Sequence, residues 1–269
     1  MCISTPLYRN KQPRMQLFYK QYGENKPPLI ILHGLLGAHG NWHTLSRNVF
    51  SEVATVYAVD QRNHGRSPHT DRIDYPSMAQ DLLTFIKEQG LSEVTVMGHS
   101  MGGKTAMQAA LTHPDLIERL IVVDMAPRAY TPNHRGLIEA LRNIDPTEYD
   151  RRSQIDDALA ETVPSWPIRQ FLLTNLRYED DAYTWQPNLD VIARDYEALV
   201  GALPAEGTYE GPATFIGGAR SNYISNGDWP TIRDRFPAAR RVTIPDAGHW
   251  VHADAPEPFA EAVLQALDA

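Results

Sequence analysis

Val94-Thr95-Val96-Met97-Gly98-His99-Ser100-Met101-Gly102 decides how this chain folds. A strand-like run, Val94 to Met97, leads directly into Gly98-x-Ser100-x-Gly102, and a helix-forming stretch follows. This order reads as a G-x-S-x-G nucleophile elbow, in which a strand ends, the chain turns sharply on one serine, and a helix begins. The two glycines have a steric reason: the serine backbone is strained, and its neighbours must lack bulk for strand and helix to pack closely. The helix expected over roughly Met101 to His113 is rich in small residues (Ala106, Ala109, Ala110), and Pro114 stops it. The competing reading is a glycine-rich turn whose serine merely caps a helix.

Outward from the elbow, apolar runs alternate with helical patterns, which predicts a mostly parallel sheet with helices on both faces. The expected strands are Pro28–Leu32, Thr55–Val59, Val94–Met97, Leu120–Val123, Ala213–Ile216 and Arg241–Ile244, with Leu17–Tyr22 as an antiparallel edge ended by Gly23. Met78, Leu82, Phe85 and Ile86 make one apolar helical face, and Gly90 suits its C-terminal cap. A last helix starts near Pro256 and buries Phe259, Val263 and Leu267. From Arg128 to Pro204 the alternation fails; no strand pattern is evident, and helical segments are punctuated by prolines. The expected fold is therefore α/β, with a core of residues 1–127 and 205–269 and a helical cap, residues 128–204, inserted after strand 6.

Composition narrows the function. The chain has 269 residues, 42% hydrophobic and 22% charged, as in ordinary globular proteins. A formal net charge of −8 argues against nucleic acid or anionic membrane as a general partner. The single cysteine, Cys2, excludes an internal disulfide framework and fits a reducing compartment. The polar segment Met1 to Lys26 lacks a signal-peptide core, and no apolar run reaches the roughly 18 residues of a membrane span. A cytoplasmic protein, monomer or homodimer, is the expectation.

A serine hydroxyl needs a base to take its proton and donors to hold an oxyanion. Among ten histidines, His249 in Asp246-Ala247-Gly248-His249-Trp250 follows the last expected strand, where the base belongs in the order serine, acid, histidine. The competing reading is a loop histidine capping the adjacent helix. His33, His64 and His99 have scaffold explanations. His39 and His43 lack a third ligand in metal-binding spacing, so no metal site is expected. The amide of Met101 and one from His33-Gly34-Leu35-Leu36-Gly37, supplied by Leu35, are the expected oxyanion donors.

His33-Gly34…Asn41-Trp42, Asp60-x-Arg62-Asn63-His64-Gly65-x-Ser67, Gly98-His99-Ser100-Met101-Gly102-Gly103 and Gly248-His249 together resemble the α/β-hydrolase superfamily across essentially the whole core. Val123-Asp124-Met125-Ala126-Pro127, Phe171-Leu172-x-x-Asn175-Leu176 and Ile216-Gly217-Gly218-x-x-Ser221-x-Tyr223-Ile224 look further like its small bacterial esterases and acyl-CoA thioesterases, a group shared with mitochondrial abhydrolase-domain relatives. The resemblance implies hydrolysis of a small-molecule acyl ester or acyl-CoA, without metal or organic cofactor.

The acid departs from the common superfamily pattern, which places Asp in a Gly-x-x-Asp turn after the strand following the cap. Here that turn is Gly218-Ala219-Arg220-Ser221, and a serine hydroxyl cannot neutralise an imidazolium. Asp124, at the end of the strand before the cap, is the first candidate; Asp228 is the alternative and Asp246 a weaker one. Asp124 also has a capping reading. Asp60, Arg62 and His64 are read as tying their own turn together rather than forming a second site. Trp166, Phe171, Leu172, Tyr183 and Trp185 are candidates for an acyl tunnel or for the cap's own core. Acidic residues between Arg128 and Tyr178 match the arginines in number, so local charge does not favour coenzyme A. The expected chemistry is acyl transfer through Ser100, His249 and Asp124. A cofactor-free perhydrolase or C–C bond hydrolase with the same triad remains open, as does a non-catalytic receptor that has kept the fold.

Overall fold

The computed structural model describes residues 15–268; Cys2 lies outside them. Nine strands form among the described residues: β1 (Tyr19–Tyr22), β2 (Pro28–Leu32), β3 (Thr55–Val59), β4 (Val94–His99), β5 (Ile117–Val123), β6 (Leu176–Glu179), β7 (Ala182–Trp185), β8 (Ala213–Gly218) and β9 (Ala239–Ile244). Seven of them make one sheet in the order β1-β3-β2-β4-β5-β8-β9. β1 pairs antiparallel with β3, and every other neighbour in that sheet runs parallel.

The central strands read as unbroken apolar runs because both of their faces are covered. Side chains alternate between faces. Ile30, Leu32, Val96, Leu120 and Val122 join one core, while Leu29, Ile31, Met97, Ile121 and Val123 join the other. The first core packs under the helices Tyr75–Glu88 and Met101–Thr112, and the second under Pro256–Asp268. Asp74 caps the first of these helices by accepting from Ser77 N at 2.8 Å, and Gly90 follows its C-terminus at φ +63°. Ala106, Ala109 and Ala110 are fully buried in the middle helix, so small side chains let it lie close against the sheet. No helix of the described residues is long and apolar enough to cross a membrane.

Between β5 and β8 the chain leaves the sheet. It forms the helices Arg135–Arg142, Arg152–Ala160, Trp166–Leu172, Leu189–Arg194 and Tyr196–Val200. Two corrections to the sequence reading arise here. The excursion follows the fifth strand of the described chain rather than the sixth, because only one strand, β1, precedes Pro28 there. It also contains a strand pair, β6 and β7, joined in antiparallel register. The turn between them is Asp180-Asp181, with φ of +50° and +63°. Two consecutive left-handed residues are the mark of a type I′ hairpin turn, usually signalled by Asn-Gly or Asp-Gly. Without glycine, and with only four residues in each strand, the hairpin carries almost no sequence signal.

Candidate active site

Ser100 sits between β4 and the helix Met101–Thr112 at φ +53°, the left-handed strain expected of an elbow. Its amide donates to Val123 O of β5 at 3.0 Å, which ties the turn to the neighbouring strand. A Cβ on Gly102 would lie 2.5 Å from Leu32 O, and one on Gly98 would run into the Gly102 backbone. Both glycines are therefore required by close backbone approach.

His249 follows β9, and its Nε2 lies 3.1 Å from Ser100 Oγ. Its Nδ1 lies 2.8 Å from Asp124 Oδ2. Asp124 is fully buried, leaves β5 at φ +49°, and accepts a long bond from Gly218 N at 3.3 Å. Ser221 Oγ donates to the same oxygen, Oδ2, that faces the imidazole. The turn residue that cannot replace an acid instead holds one. The Tyr223 ring stacks on His249 at 3.7 Å between centroids and 17° between planes. His99 Nε2 lies 2.9 Å from His249 O, so β4 grips the backbone of the histidine as well as carrying the serine. Burial first, then the charges of His249 and His252, hold His99 well below the usual histidine range. A neutral ring with Nε2–H can donate to that carbonyl.

The alternative acids are occupied or turned away. Asp228 pairs with Arg128 Nε at 2.6 Å and accepts from Ser225 N at 2.8 Å and Ser225 Oγ at 2.7 Å. Burial opposes its ionisation, but the Ser225 bonds and the Arg128 charge prevail and lower its pKa. Asp246 is exposed.

The loop after β2 is shaped by two neutral histidines. His33 donates Nδ1–H to Gly34 O at 2.8 Å and accepts at Nε2 from Gln61 N at 3.0 Å. His64 donates Nδ1–H to Arg62 O at 3.0 Å and accepts at Nε2 from Leu36 N at 3.2 Å. Each accepting nitrogen must be unprotonated, and burial depresses both rings, His64 to about 3. Leu36 takes φ +56°, and Asn175 Nδ2 donates to its carbonyl at 2.8 Å from across the excursion. The amides of Leu35 and Met101 have no acceptor among the described residues. Asp60 accepts from the amides of His39 at 2.6 Å and Arg66 at 2.8 Å, and Arg62 forks onto Asp81 at 2.6 and 2.8 Å. Asp60, Arg62 and His64 thus bind their own turn and its neighbours.

A cavity of about 510 Å³ opens over Ser100 and His249, within the size range of small-molecule sites. Leu35, Met101 and Met125 of the sheet side line it, facing Leu137, Phe171 and Leu199 of the excursion. Of the five aromatic and apolar side chains considered for an acyl tunnel, only Phe171 lines the cavity. Trp166 is 62% exposed, Leu172 is buried, Tyr183 packs at a tilt against Tyr178, and Trp185 donates to Ile144 O at 3.0 Å. The hairpin keeps the last two against its own support. The sequence reading gave Tyr223 and Asn175 no role, since both stood in motifs quoted only for resemblance; it weighed Ser221 only as a failed acid and His99 only as scaffold.

No cluster of three or more His, Cys, Asp or Glu among the described residues is arranged to hold a metal. His39 Nδ1 is bound to Asp60 at 2.9 Å, and His43 Nδ1 to Tyr22 OH at 2.9 Å.

Strand, elbow, histidine loop and helical excursion define a class. Residues 27–189 match the alpha/beta hydrolase fold family, and the chain belongs to it. It is 40% identical over 248 residues to the "sn-1-specific diacylglycerol lipase ABHD11" of Danio rerio, covering 89% of this chain and 78% of that protein. It is 33% identical over 251 residues to "Esterase YbfF" of Escherichia coli, covering 92% and 96%. A solved "Marine microorganism esterase" superposes with a TM-score of 0.90 at 43% identity, covering 93% of this chain and 99% of that one. Within that family the chain is thus similar to proteins named as a lipase and as esterases.

Proposed function

We propose that the chain cleaves carboxylic esters through an acyl-enzyme on Ser100. His249 Nε2 takes the hydroxyl proton as Oγ attacks the acyl carbon, and the Leu35 and Met101 amides receive the negative oxygen. The tetrahedral species collapses as His249 returns the proton to the leaving alcohol. Water, deprotonated by the same imidazole, then attacks the acyl carbon and releases the acid. Asp124 stays ionised and fixes the imidazole with its proton on Nδ1. The observation that carries this reading is the unbroken line Asp124 Oδ2, His249 Nδ1, His249 Nε2, Ser100 Oγ, with links of 2.8 and 3.1 Å.

In this reading residues 128–204 are the cap over a core of residues 1–127 and 205–269, and Leu137, Phe171 and Leu199 meet the acyl chain. Oxygen esters are favoured over acyl-CoA. Arg128, Arg135, Arg142 and Arg169 of the cap are already paired with Asp228, Glu197, Glu139 and Asp156, and so are poor partners for a phosphate-rich moiety. A panel of p-nitrophenyl esters from acetate to palmitate, beside short and long acyl-CoAs, tests both points with Ser100→Ala as control. Turnover of esters that Ser100→Ala loses supports the proposal; equal turnover by Ser100→Ala overturns it. Acyl-CoA turnover exceeding that of every ester would replace the ester preference with a thioester one.

A further inference from the structure

The cavity wall is lined by tyrosines, and most of their hydroxyls are committed to the protein. Tyr75 OH donates to Leu199 O at 2.6 Å, Tyr130 OH donates to Tyr223 O at 2.7 Å, and Tyr196 OH accepts from His134 N at 2.9 Å. Beside the unpartnered Trp42 Nε1 and His252 Nδ1 deeper in the wall, two more accessible polar groups stand apart from this pattern. The Tyr223 hydroxyl and the His134 imidazole have no hydrogen-bond partner among the described residues, and both residues are half-buried on the cavity surface. Tyr223 is held flat on His249 by the stacking described above. His134 is carried into the same cavity by the segment preceding the helix Arg135–Arg142, its backbone pinned by Tyr196.

The stacking of Tyr223 on His249 and the cavity that His134 lines with Ser100 place both groups near the reacting residues. After burial, the charge of His249 is the influence that lowers His134, so its ring is neutral and offers one donor and one acceptor. Tyr223 is pushed up to about 12 by burial, then by Tyr196 and Asp124, so it keeps its proton and can donate. A mainly apolar chamber with uncommitted hydrogen-bonding groups beside its histidine discriminates by what the substrate offers them. A substrate hydroxyl can accept from one and donate to the other; an alkyl group of the same size leaves both without a partner.

Resting on the reading of Ser100 as the nucleophile of an ester hydrolase, we propose that His134 and Tyr223 form a polar subsite that selects esters bearing a hydroxyl group close to the scissile bond. The hydroxyl can belong to the leaving alcohol or to the acyl chain, and isosteric pairs separate the two. On the alcohol side the pair is 2-hydroxyethyl butyrate and propyl butyrate; on the acyl side it is ethyl 3-hydroxybutyrate and ethyl 3-methylbutyrate. Each kcat/KM is divided by the ester's alkaline hydrolysis rate, and active enzyme is counted by fluorophosphonate titration.

The wild type is expected to favour the hydroxylated ester by about five- to ten-fold in one pair, the discrimination of one net hydrogen bond. Tyr223→Phe keeps the ring on His249 and removes only the hydroxyl. His134→Phe keeps a ring and removes both nitrogens. Each is expected to bring the ratio close to one, with His134→Gln restoring part of it. Ratios near one for both pairs in the wild type overturn the proposal, as does a preference that survives both variants. The two readings fail differently: if Ser100 is not the nucleophile, p-nitrophenyl butyrate turnover survives Ser100→Ala, whereas failure of the subsite leaves that turnover Ser100-dependent and only the ratios flat.

Discussion

Nδ1 of His249 and Oδ2 of Asp124 stand 2.8 Å apart although 125 positions separate them in the chain. The carboxylate comes from the end of β5 and the imidazole from the loop after β9, two strands away across β8. β8 itself contributes no acid; its following turn supplies Ser221, whose hydroxyl donates to the carboxylate oxygen that faces the ring. A carboxylate from the end of β5 and a hydroxyl from the turn after β8 thus meet at one oxygen.

Replacement of each acid separates the candidates. Asp124→Asn is expected to cut kcat on p-nitrophenyl butyrate by about 10⁴, the magnitude known for the corresponding acid of a serine protease. Asp228→Asn is expected to stay within about three-fold, because its partners are Arg128 and Ser225 rather than His249. The reverse ranking of the two variants would assign the acid to Asp228.

Ser221→Ala removes a hydrogen bond to a charged group, worth about 1.5–3 kcal/mol. Its loss is expected to lower kcat roughly ten-fold, far less than loss of Asp124, with KM for the same ester little changed. A loss equal to that of Asp124→Asn would give the hydroxyl a larger part than orientation.

Much of this was legible before any coordinates. The elbow, the strands and His249 are written locally: apolar runs for a sheet covered on both faces, and glycines where backbones touch. Asp124 became the first candidate by elimination, since the usual turn ends in Ser221, and by its place at the end of the strand before the excursion. What escaped notice depends on long-range geometry. Tyr223 becomes part of the site by stacking on a ring 26 positions away, and Asn175 by reaching Leu36 O at 2.8 Å across 139 positions. The β6–β7 hairpin escaped for a local reason, a type I′ turn made by two aspartates.

Asn175 gives the third prediction. It joins the excursion to the loop that carries Leu35, and Asn175→Ala leaves the buried Leu36 carbonyl without this donor. Such a loss costs about 1–3 kcal/mol. Single-turnover acylation by p-nitrophenyl butyrate is expected to slow about ten-fold, and fluorophosphonate labelling should slow in parallel. Unchanged acylation would mean that His64 alone holds the loop.

Lys104 sets a pH dependence of stability. It lies fully buried four positions after Ser100, donates to Gly201 O, and faces the Tyr130 and Tyr75 rings at 4.9 and 5.4 Å. Burial, then the charge of Arg128, lowers its pKa to about 7. Because the folded value lies below the unfolded one, near 10.4, the unfolded chain binds more protons between the two. Stability therefore rises with pH through that window and is lost as pH falls toward 7, with a slope of at most about 1.4 kcal/mol per pH unit from this group. Urea unfolding at pH 7, 8 and 9 should show that rise in the wild type and a flatter profile in Lys104→Met. Identical slopes would show that the lysine is not buried as a neutral amine.

The central claim is a covalent bond to one oxygen. Intact-protein mass spectrometry after rapid acid quench of the p-nitrophenyl butyrate reaction, followed by peptide mapping, tests it most directly. The account predicts one butyryl group per chain on the peptide containing Ser100, formed at the rate of the p-nitrophenol burst and absent from Ser100→Ala. A butyryl group on another residue formed at that rate, or a full burst from Ser100→Ala, would contradict it.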